Sequence, residues 1–223
     1  MKNIFISGID GNMGSRYATI CRTLGLKVYG VDRISFTEQA RFCKSNDIDG
    51  IIVATPTFTH IDAINIFGSH CEYVPMLVEK PLRKGRIKTM PNFKVTMVNQ
   101  YKYLVDKIDS VGLSYYNYFK SGGDTMLWDC INIIGLANSE ISIKANSPFW
   151  RCMINGQMLN IKDMDGAYLN MVRDWTKNPE GNREYIELAH DKVCALKESK
   201  PIPRGNKVKT GSQVIPILGK AID

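Results

Sequence analysis

Three glycines, Gly8, Gly11 and Gly14, recur at three-residue spacing in the stretch GIDGNMG, and a carboxylate, Asp32, follows 24 residues after the first. Residues of these types at this spacing suit the binding of a dinucleotide. The first glycine makes a tight turn, the second lets backbone approach a pyrophosphate, and the third lets a helix pack closely on a strand. The segment between them, with Asp10, Asn12 and Met13, would lie against the phosphates at a helix N-terminus, where unpaired N–H groups and the helix dipole favour negative charge. Asp32 is spaced to accept from a ribose hydroxyl. Its charge would repel the 2′-phosphate of NADP, so NAD is the expected cofactor; Arg33 beside it weakens that preference, since arginine accommodates the phosphate. The pattern is GxxGxxG rather than GxGxxG, and glycines also serve ordinary loops, so the reading depends on the surrounding elements.

Those elements fit. The short apolar run Asn3–Ser7 reads as a strand covered on both faces. A helix through Ala18, Ile20 and Leu24 follows the glycines, and a second strand, Leu26–Val31, ends at Asp32. Phe36–Ser45 has helical spacing at Phe36, Ala40 and Phe42 or Cys43. A third strand, Gly50–Ala54, is stopped by Pro56, and a helix over Ile61–Phe67 begins soon after. Val74–Val78 supplies another strand and ends in Glu79-Lys80-Pro81. This alternation is the first half of a doubly wound parallel sheet of the Rossmann type. Ligands bind beyond the carboxyl ends of strands in such sheets, and Gly8, Asp32, Thr55, Pro56 and Lys80 all fall at strand ends.

The glycine turn, Ala54-Thr55-Pro56-Thr57 with His60, and Glu79-Lys80-Pro81 together resemble the glucose-fructose oxidoreductase and inositol dehydrogenase family, whose signature includes ATPxxxH and EKP. The resemblance covers about residues 1–100 and loosens after that. It implies that Lys80 lies near the nicotinamide and the reacting carbon as a polarising or proton-relaying group, and that Thr55, Pro56, His60 and Glu79 border the cofactor, with His60 capping or packing in the nucleotide domain. It also implies a cis bond before Pro81. A lysine in a desolvated, positively charged site has a lowered pKa, which suits proton transfer. Taken alone, Glu79 and Lys80 read instead as a strand-end salt bridge without catalytic role.

After Pro81 the chain departs from that pattern. About a dozen basic residues precede the strand Val95–Val98, where the family carries a full helix. Asn99-Gln100-Tyr101 ends that strand, Leu113–Phe119 is an alternating aromatic strand, and Gly122-Gly123-Asp124 opens a helix through Met126, Leu127, Cys130, Ile131 and Ile134. This stretch resembles the family's helix bearing Asp-x-x-x-His-x-x-Asp. Asp129 stands for either aspartate, but Ile133 or Met126 occupies the histidine's place, and the family histidine is the usual proton acceptor. Lys80 and Asp129 therefore rank first as replacements, with Asp124 and Tyr101 as further substrate-facing candidates. Beyond them, Phe149–Ile154 and Gln157–Ile161 read as a hairpin joined by Asn155-Gly156 in a type I′ turn. Helices over Met164–Thr176 and Asn182–Ser199 follow, with Trp175 in the core. The expected division is a dinucleotide-binding domain over 1–98, a reduced α+β substrate and oligomerisation domain with a trimmed, mainly antiparallel sheet over 99–200, and an extended arm over 201–223.

At 44% hydrophobic, 223 residues can bury one or two cores. The start lacks a signal-peptide core and no apolar run suits a membrane span, so a cytoplasmic protein without membrane partners is expected. Six cysteines without a CxxC pair argue against zinc and disulfides and for reduced, buried thiols; no metal is expected. The charge of +7 invites anions. No nucleic-acid motif or aromatic platform accompanies the basic residues Arg83, Lys84, Arg86 and Lys88 or Lys200, Arg204, Lys207 and Lys209, so nucleic acid is not an expected partner and a small, anionic substrate is. Two functions fit: an NAD-dependent oxidoreductase acting on a hydroxyl or carbonyl of a sugar, cyclitol or related polyol, phosphorylated or nucleotide-linked, and forming a homo-oligomer; or a non-catalytic NAD-binding protein, a sensor or assembly partner, that has lost the base.

Overall fold

The computed structural model describes residues 1–82, 87, 94–115, 127–145, 151–160, 162–199 and 213–216. Its first compact unit comprises Met1–Val98 with Tyr168–Glu187, and its second Asn99–Ala167 with Leu188–Asp223. The segment Tyr168–Glu187 thus groups with the nucleotide-domain residues, whereas the sequence placed all of 99–200 in the second domain.

In the first unit, strands β1 (Asn3–Ser7), β2 (Lys27–Gly30), β3 (Gly50–Val53), β4 (Met76–Val78) and β5 (Val95–Met97) form a parallel sheet in the order β2-β1-β3-β4-β5. Helices α1 (Asn12–Thr23), α2 (Phe36–Ser45) and α3 (His60–His70) make the crossovers. The central strands are continuous apolar runs because both faces are covered: Ile4, Phe5 and Ile6, Ile51, Ile52 and Val53, and Met76, Leu77 and Val78 are all fully buried. β2 is an edge strand, with Lys27 exposed and Val28, Tyr29 and Gly30 half-buried. It is accordingly shorter than the expected Leu26–Val31. Asn182 ties the opposite edge, its Oδ1 accepting from the Met97 amide and its Nδ2 donating to the Met97 carbonyl, both at 2.8 Å.

Local chemistry sets where the helices start. Ser35 caps α2 by accepting from the Glu38 amide, while Glu38 reaches back to the Ser35 amide at 2.9 Å and hydroxyl at 2.7 Å. This reciprocal box satisfies two donors that a helix start otherwise leaves open. α1 begins differently. Its N-cap is Gly11, which brings no side chain, and its first turn carries no acid.

The second unit holds a sheet in the order β10-β7-β6-β8-β9, built from β6 (Ser110–Tyr115), β7 (Glu140–Ala145), β8 (Arg151–Ile154), β9 (Gln157–Met158) and β10 (Gln213–Pro216). The β6–β7 pairing is parallel and the other three are antiparallel, so the sheet is mixed. Helix α4 (Ile131–Ile134) is wholly buried. Helices α5 (Asp163–Lys177) and α6 (Arg183–Ser199) follow the hairpin. β8 and β9 are joined by Asn155 and Gly156 at φ values of 50° and 78°, the two positive angles that a type I′ turn requires. The Asn155 side chain also accepts from the Asp109 and Ser110 amides and donates to the Lys107 carbonyl, which anchors the turn on the start of β6. Four residues of the expected C-terminal arm form β10, antiparallel to β7. All six cysteines are free, and five are buried. Among the described residues no helix is long and apolar enough to cross a membrane.

Candidate functional site

Gly8 leaves β1 with φ at +87°, and a Cβ there would stand 2.6 Å from the Ala54 carbonyl oxygen at the exit of β3. A Cβ on Gly14 would stand 1.9 Å from the Gly8 carbonyl oxygen. Both positions exclude any side chain, one by conformation and contact, the other by contact alone. Gly11 is less demanding, with its nearest neighbour at 3.3 Å. The turn therefore packs against the end of β3 on one side and the first turn of α1 on the other.

Asp32 does something the spacing alone did not reveal. Its Oδ1 accepts from the Gly8 and Ile9 amides, both at 3.0 Å, and its Oδ2 accepts from the Asp10 amide at 2.9 Å. The Gly11 amide is bonded to the Gly8 carbonyl at 3.1 Å. Four amides of the turn, including those of Gly8, Asp10 and Gly11, are thus already engaged within the protein. The donors at the start of α1 are those of Asn12, Met13 and Gly14, which have no intrahelical acceptor. A carboxylate has about four lone-pair sites, so Asp32 retains acceptor capacity on Oδ2. Arg33 follows with φ at 68°, a left-handed conformation uncommon for a side-chain-bearing residue.

Next along the edge of strand ends, Thr55 and Pro56 leave β3. The Thr59 hydroxyl donates to the Pro56 carbonyl at 2.7 Å and lies 2.9 Å from the Thr55 hydroxyl. His60 is 1% exposed, and its Nε2–H donates to the Thr55 carbonyl at 2.8 Å. Burial pushes its pKa down, while the Thr55 and Pro81 carbonyls partly hold it up. His60 thereby ties the start of α3 to the end of β3, and its burial favours the neutral ring.

Glu79 ends β4 with only 6% of its surface exposed. Its Oε1 accepts from the Tyr17 hydroxyl at 2.6 Å, and its Oε2 accepts from the Lys80 amide at 3.3 Å. No salt bridge joins the Glu79 and Lys80 side chains, so the strand-end ion pair open to the sequence is replaced by a carboxyl directed to α1. Burial raises the Glu79 pKa, and the Tyr17 hydroxyl and the Lys80 charge pull it back. Tyr17 is pushed well up by burial and by the Glu79 charge. Its ring meets Tyr168 edge-on at 5.9 Å, and the Arg16 guanidinium lies 4.9 Å from the Tyr168 ring centroid. Lys80 is half-buried, and the bond from Lys80 to Pro81 is cis.

Sequence reading missed Tyr17, Arg16 and Tyr168. The available signal was a phenol on the buried stripe of α1, because a buried tyrosine hydroxyl needs a partner. A second overlooked feature is a cleft of about 610 Å³ between the starts of α2 and α3, lined by Ile34, Ser35, Phe36, Thr37, Asp62, Asn65 and Ile66. It begins two residues beyond Asp32, and the Ser35–Glu38 capping box, legible as SFTE, fixes its α2 wall.

In the second unit, Tyr101 is buried at 8% exposure in a short 3-10 turn, and Asp129 is half-buried before α4. Ile133 lies in the core at 1% exposure. The Asn132 amide donates to Gln100 Oε1 at 3.0 Å, which joins α4 to the Tyr101 turn. Asp124, Met126, the glycines Gly122 and Gly123, the end of the aromatic strand, and the basic residues Arg83, Lys84, Arg86 and Lys88 lie outside the described residues, as do Lys200, Arg204, Lys207 and Lys209.

No protein-family model matches the chain, and no curated protein matches it in sequence. Solved structures do match in fold. One is the WlbA (WbpB) dehydrogenase from Thermus thermophilus in complex with NAD and alpha-ketoglutarate, at a TM-score of 0.61 and 10% identity over 92% of this chain and 97% of that one. The same dehydrogenase in complex with NAD and UDP-GlcNAcA matches at 0.56 and 10% over 93% and 97%. A Gfo/Idh/MocA family oxidoreductase from Vibrio cholerae matches at 0.59 and 8% over 86% and 95%. The Rossmann-type parallel sheet followed by a mixed sheet is the fold of these dehydrogenases.

Proposed function

We propose, from the premise that this chain shares the fold of the Gfo/Idh/MocA dehydrogenases, that it is an NAD-dependent oxidoreductase acting on a hydroxyl or carbonyl of a sugar, cyclitol or related polyol. The observation that carries the reading is the uncapped, acid-free start of α1 beside a carboxylate at the end of β2, with Lys80 at the end of β4. That donor set fits a dinucleotide. The amides of Asn12, Met13 and Gly14 would take the pyrophosphate, and the remaining acceptor capacity of Asp32 a ribose hydroxyl. The cleft between Ile34 and Ile66 would hold the base that follows that ribose. Thr55 and Pro56 would border the cofactor at the β3 exit, with Arg33 beside the ribose.

NAD supplies the hydride chemistry when bound. Lys80 would hold and move a proton at Nζ, taking it from the substrate hydroxyl in the oxidation direction and returning it in reduction. Tyr101, Asp124 and Asp129 remain the candidates for contacting the substrate, with Asp129 a second candidate base. The structures of similar fold that contain NAD support the cofactor; that one of them holds UDP-GlcNAcA is consistent with a nucleotide-linked sugar as substrate here.

A second reading, a non-catalytic NAD-binding protein, is favoured by one observation: buried Ile133 occupies one of the two positions at which the resemblance expects a histidine. Calorimetry with NAD, followed by a screen of polyols, sugar acids and nucleotide sugars for NADH formation, separates the two. Binding with turnover supports the oxidoreductase. Binding without turnover on a broad panel supports the second reading, and absence of binding overturns both.

A further inference from the structure

Two of the free thiols meet where α2 packs on α3. Cys43 lies in the last turn of α2, on the buried stripe that also carries Gln39 and Ala40, and Cys71 is the residue that ends α3. The Cys71 thiol donates to the Ala40 carbonyl oxygen at 3.5 Å, a contact between residues 31 apart in sequence. In an α-helix the carbonyl of one residue stands beside the side chains three and four residues on. A sulfur held on the Ala40 carbonyl therefore lies against the side chain of Cys43. The Cys43 thiol accordingly donates to the Cys71 sulfur, so that a chain of donors runs from Cys43 through Cys71 to the Ala40 carbonyl.

We propose that Cys43 and Cys71 are a thiol–disulfide pair, in which a small hydroperoxide oxidises the Cys71 sulfur and Cys43 resolves it, tying α2 to α3. Position sets the order of the two. Cys71 stands at a helix end, followed by half-buried Glu72 and exposed Tyr73, and keeps 6% of its surface exposed; Cys43, inside a helix, keeps 2%. Protonation works the same way. Donation from Cys43 holds the Cys71 sulfur below the ordinary thiol range, and the Lys44 ammonium adds to this against burial. The same bond, together with burial, pushes Cys43 up. The thiolate is the form that attacks, so Cys71 reacts first.

With hydrogen peroxide the Cys71 sulfur attacks one oxygen and the O–O bond breaks. The sulfur, oxidised by two electrons, becomes a sulfenic acid, and the other oxygen leaves as water with the thiol proton. The Cys43 sulfur then attacks that of Cys71. The S–S bond forms as the S–O bond breaks, and a second water leaves with the Cys43 proton. Two thiols and one peroxide thus give one disulfide and two waters. The bond joins the two helices at the ends away from the cleft that Phe36, Thr37, Asp62, Asn65 and Ile66 line.

The decisive measurement uses the wild-type chain and needs neither NAD nor substrate, so it stands apart from the functional reading above. Fully reduced protein is exposed to hydrogen peroxide, the remaining thiols are alkylated in denaturant, and the peptides are mapped by mass spectrometry without reduction. The expected result is the loss of alkylation at Cys43 and Cys71 together, with a linked peptide pair lighter by two hydrogens than the two free peptides. The link should form at a rate independent of protein concentration and be undone by dithiothreitol. Cys43→Ala, which lacks the resolving thiol, should stop at a sulfenic acid on Cys71 that dimedone captures, and Cys71→Ala should leave Cys43 unoxidised. Half-buried Cys194 is the internal reference. Full alkylation of Cys43 and Cys71 at a peroxide dose that has oxidised Cys194 overturns the proposal, as does linkage of either to another cysteine instead. A sulfenic acid on Cys43 in folded Cys71→Ala overturns the assignment of Cys71 as the attacking sulfur. Should either variant fail to fold, the wild-type peptide map alone decides whether the pair exists.

Discussion

Asp32 at the end of β2 holds Gly8 at the end of β1 by a 3.0 Å bond from the Gly8 amide to Oδ1, and the two following amides complete the same clamp. One carboxylate thus shapes the turn as well as standing where a ribose would meet it. The two roles are separable, because shaping the turn affects the fold and ribose contact affects only binding.

Asp32→Asn keeps the size of the side chain but removes the charge and turns one acceptor into a donor facing an N–H. Hydrogen bonds to charged groups contribute about 1.5–3 kcal/mol each, and exposure discounts them. A loss of about 2 kcal/mol in urea denaturation is expected, together with weaker binding of both NAD and NADP by calorimetry. Unchanged stability with a simple reversal of preference from NAD to NADP would show that the clamp is incidental and ribose contact its whole role.

Gly14→Ala places a methyl 1.9 Å from the Gly8 carbonyl, so backbone must move. The expected cost is about 3 kcal/mol or more, in the range of severe overpacking. Gly25→Ala is the control: its φ of +74° is unfavourable, but nothing lies within 4 Å. That substitution should cost about 1 kcal/mol. Thermal melts of the two variants showing equal losses would contradict the packing argument.

Lys80→Met keeps the stem and removes the ammonium. General acid–base help of this kind is worth about 10²–10⁴ in rate. Turnover on any substrate found by the NADH screen should fall by that factor while calorimetric NAD affinity holds, since the turn and Asp32 carry the binding. Full activity in the variant would move the chemistry to another group, Asp129 first.

His60 gives a pH dependence of known sign. Burial lowers its folded pKa below the unfolded value of about 6.5. Below that pH the unfolded chain binds a proton that the folded chain does not, so stability falls as pH falls from about 6.5 through the folded value. Urea midpoints should therefore decline toward pH 5 in the wild type, and the decline should be shallower in His60→Gln. Parallel declines in the two proteins would remove His60 as the source.

The order of amino acids already dictates the parallel sheet, because continuous apolar runs such as Ile51-Ile52-Val53 can only be buried on both faces, and glycines and prolines mark where those runs end. It determined the hairpin turn at Asn155-Gly156 for the same local reason, that few residues adopt positive φ. It also placed Gly8, Asp32, Thr55 and Lys80 at strand ends, since order along the chain becomes order along one sheet edge. Contacts between residues far apart along the chain are set by packing instead. Asp32 could be read as a ribose acceptor from its spacing, but its three bonds to the glycine turn depend on how β2 lies beside β1. Glu79 next to Lys80 invites an ion pair by adjacency alone. The fold instead buries the carboxyl against α1, where Tyr17, 62 residues away, supplies the donor that a desolvated acid requires. Periodicity places a side chain on a face; which partner waits on that face depends on packing between elements, and no local pattern encodes it.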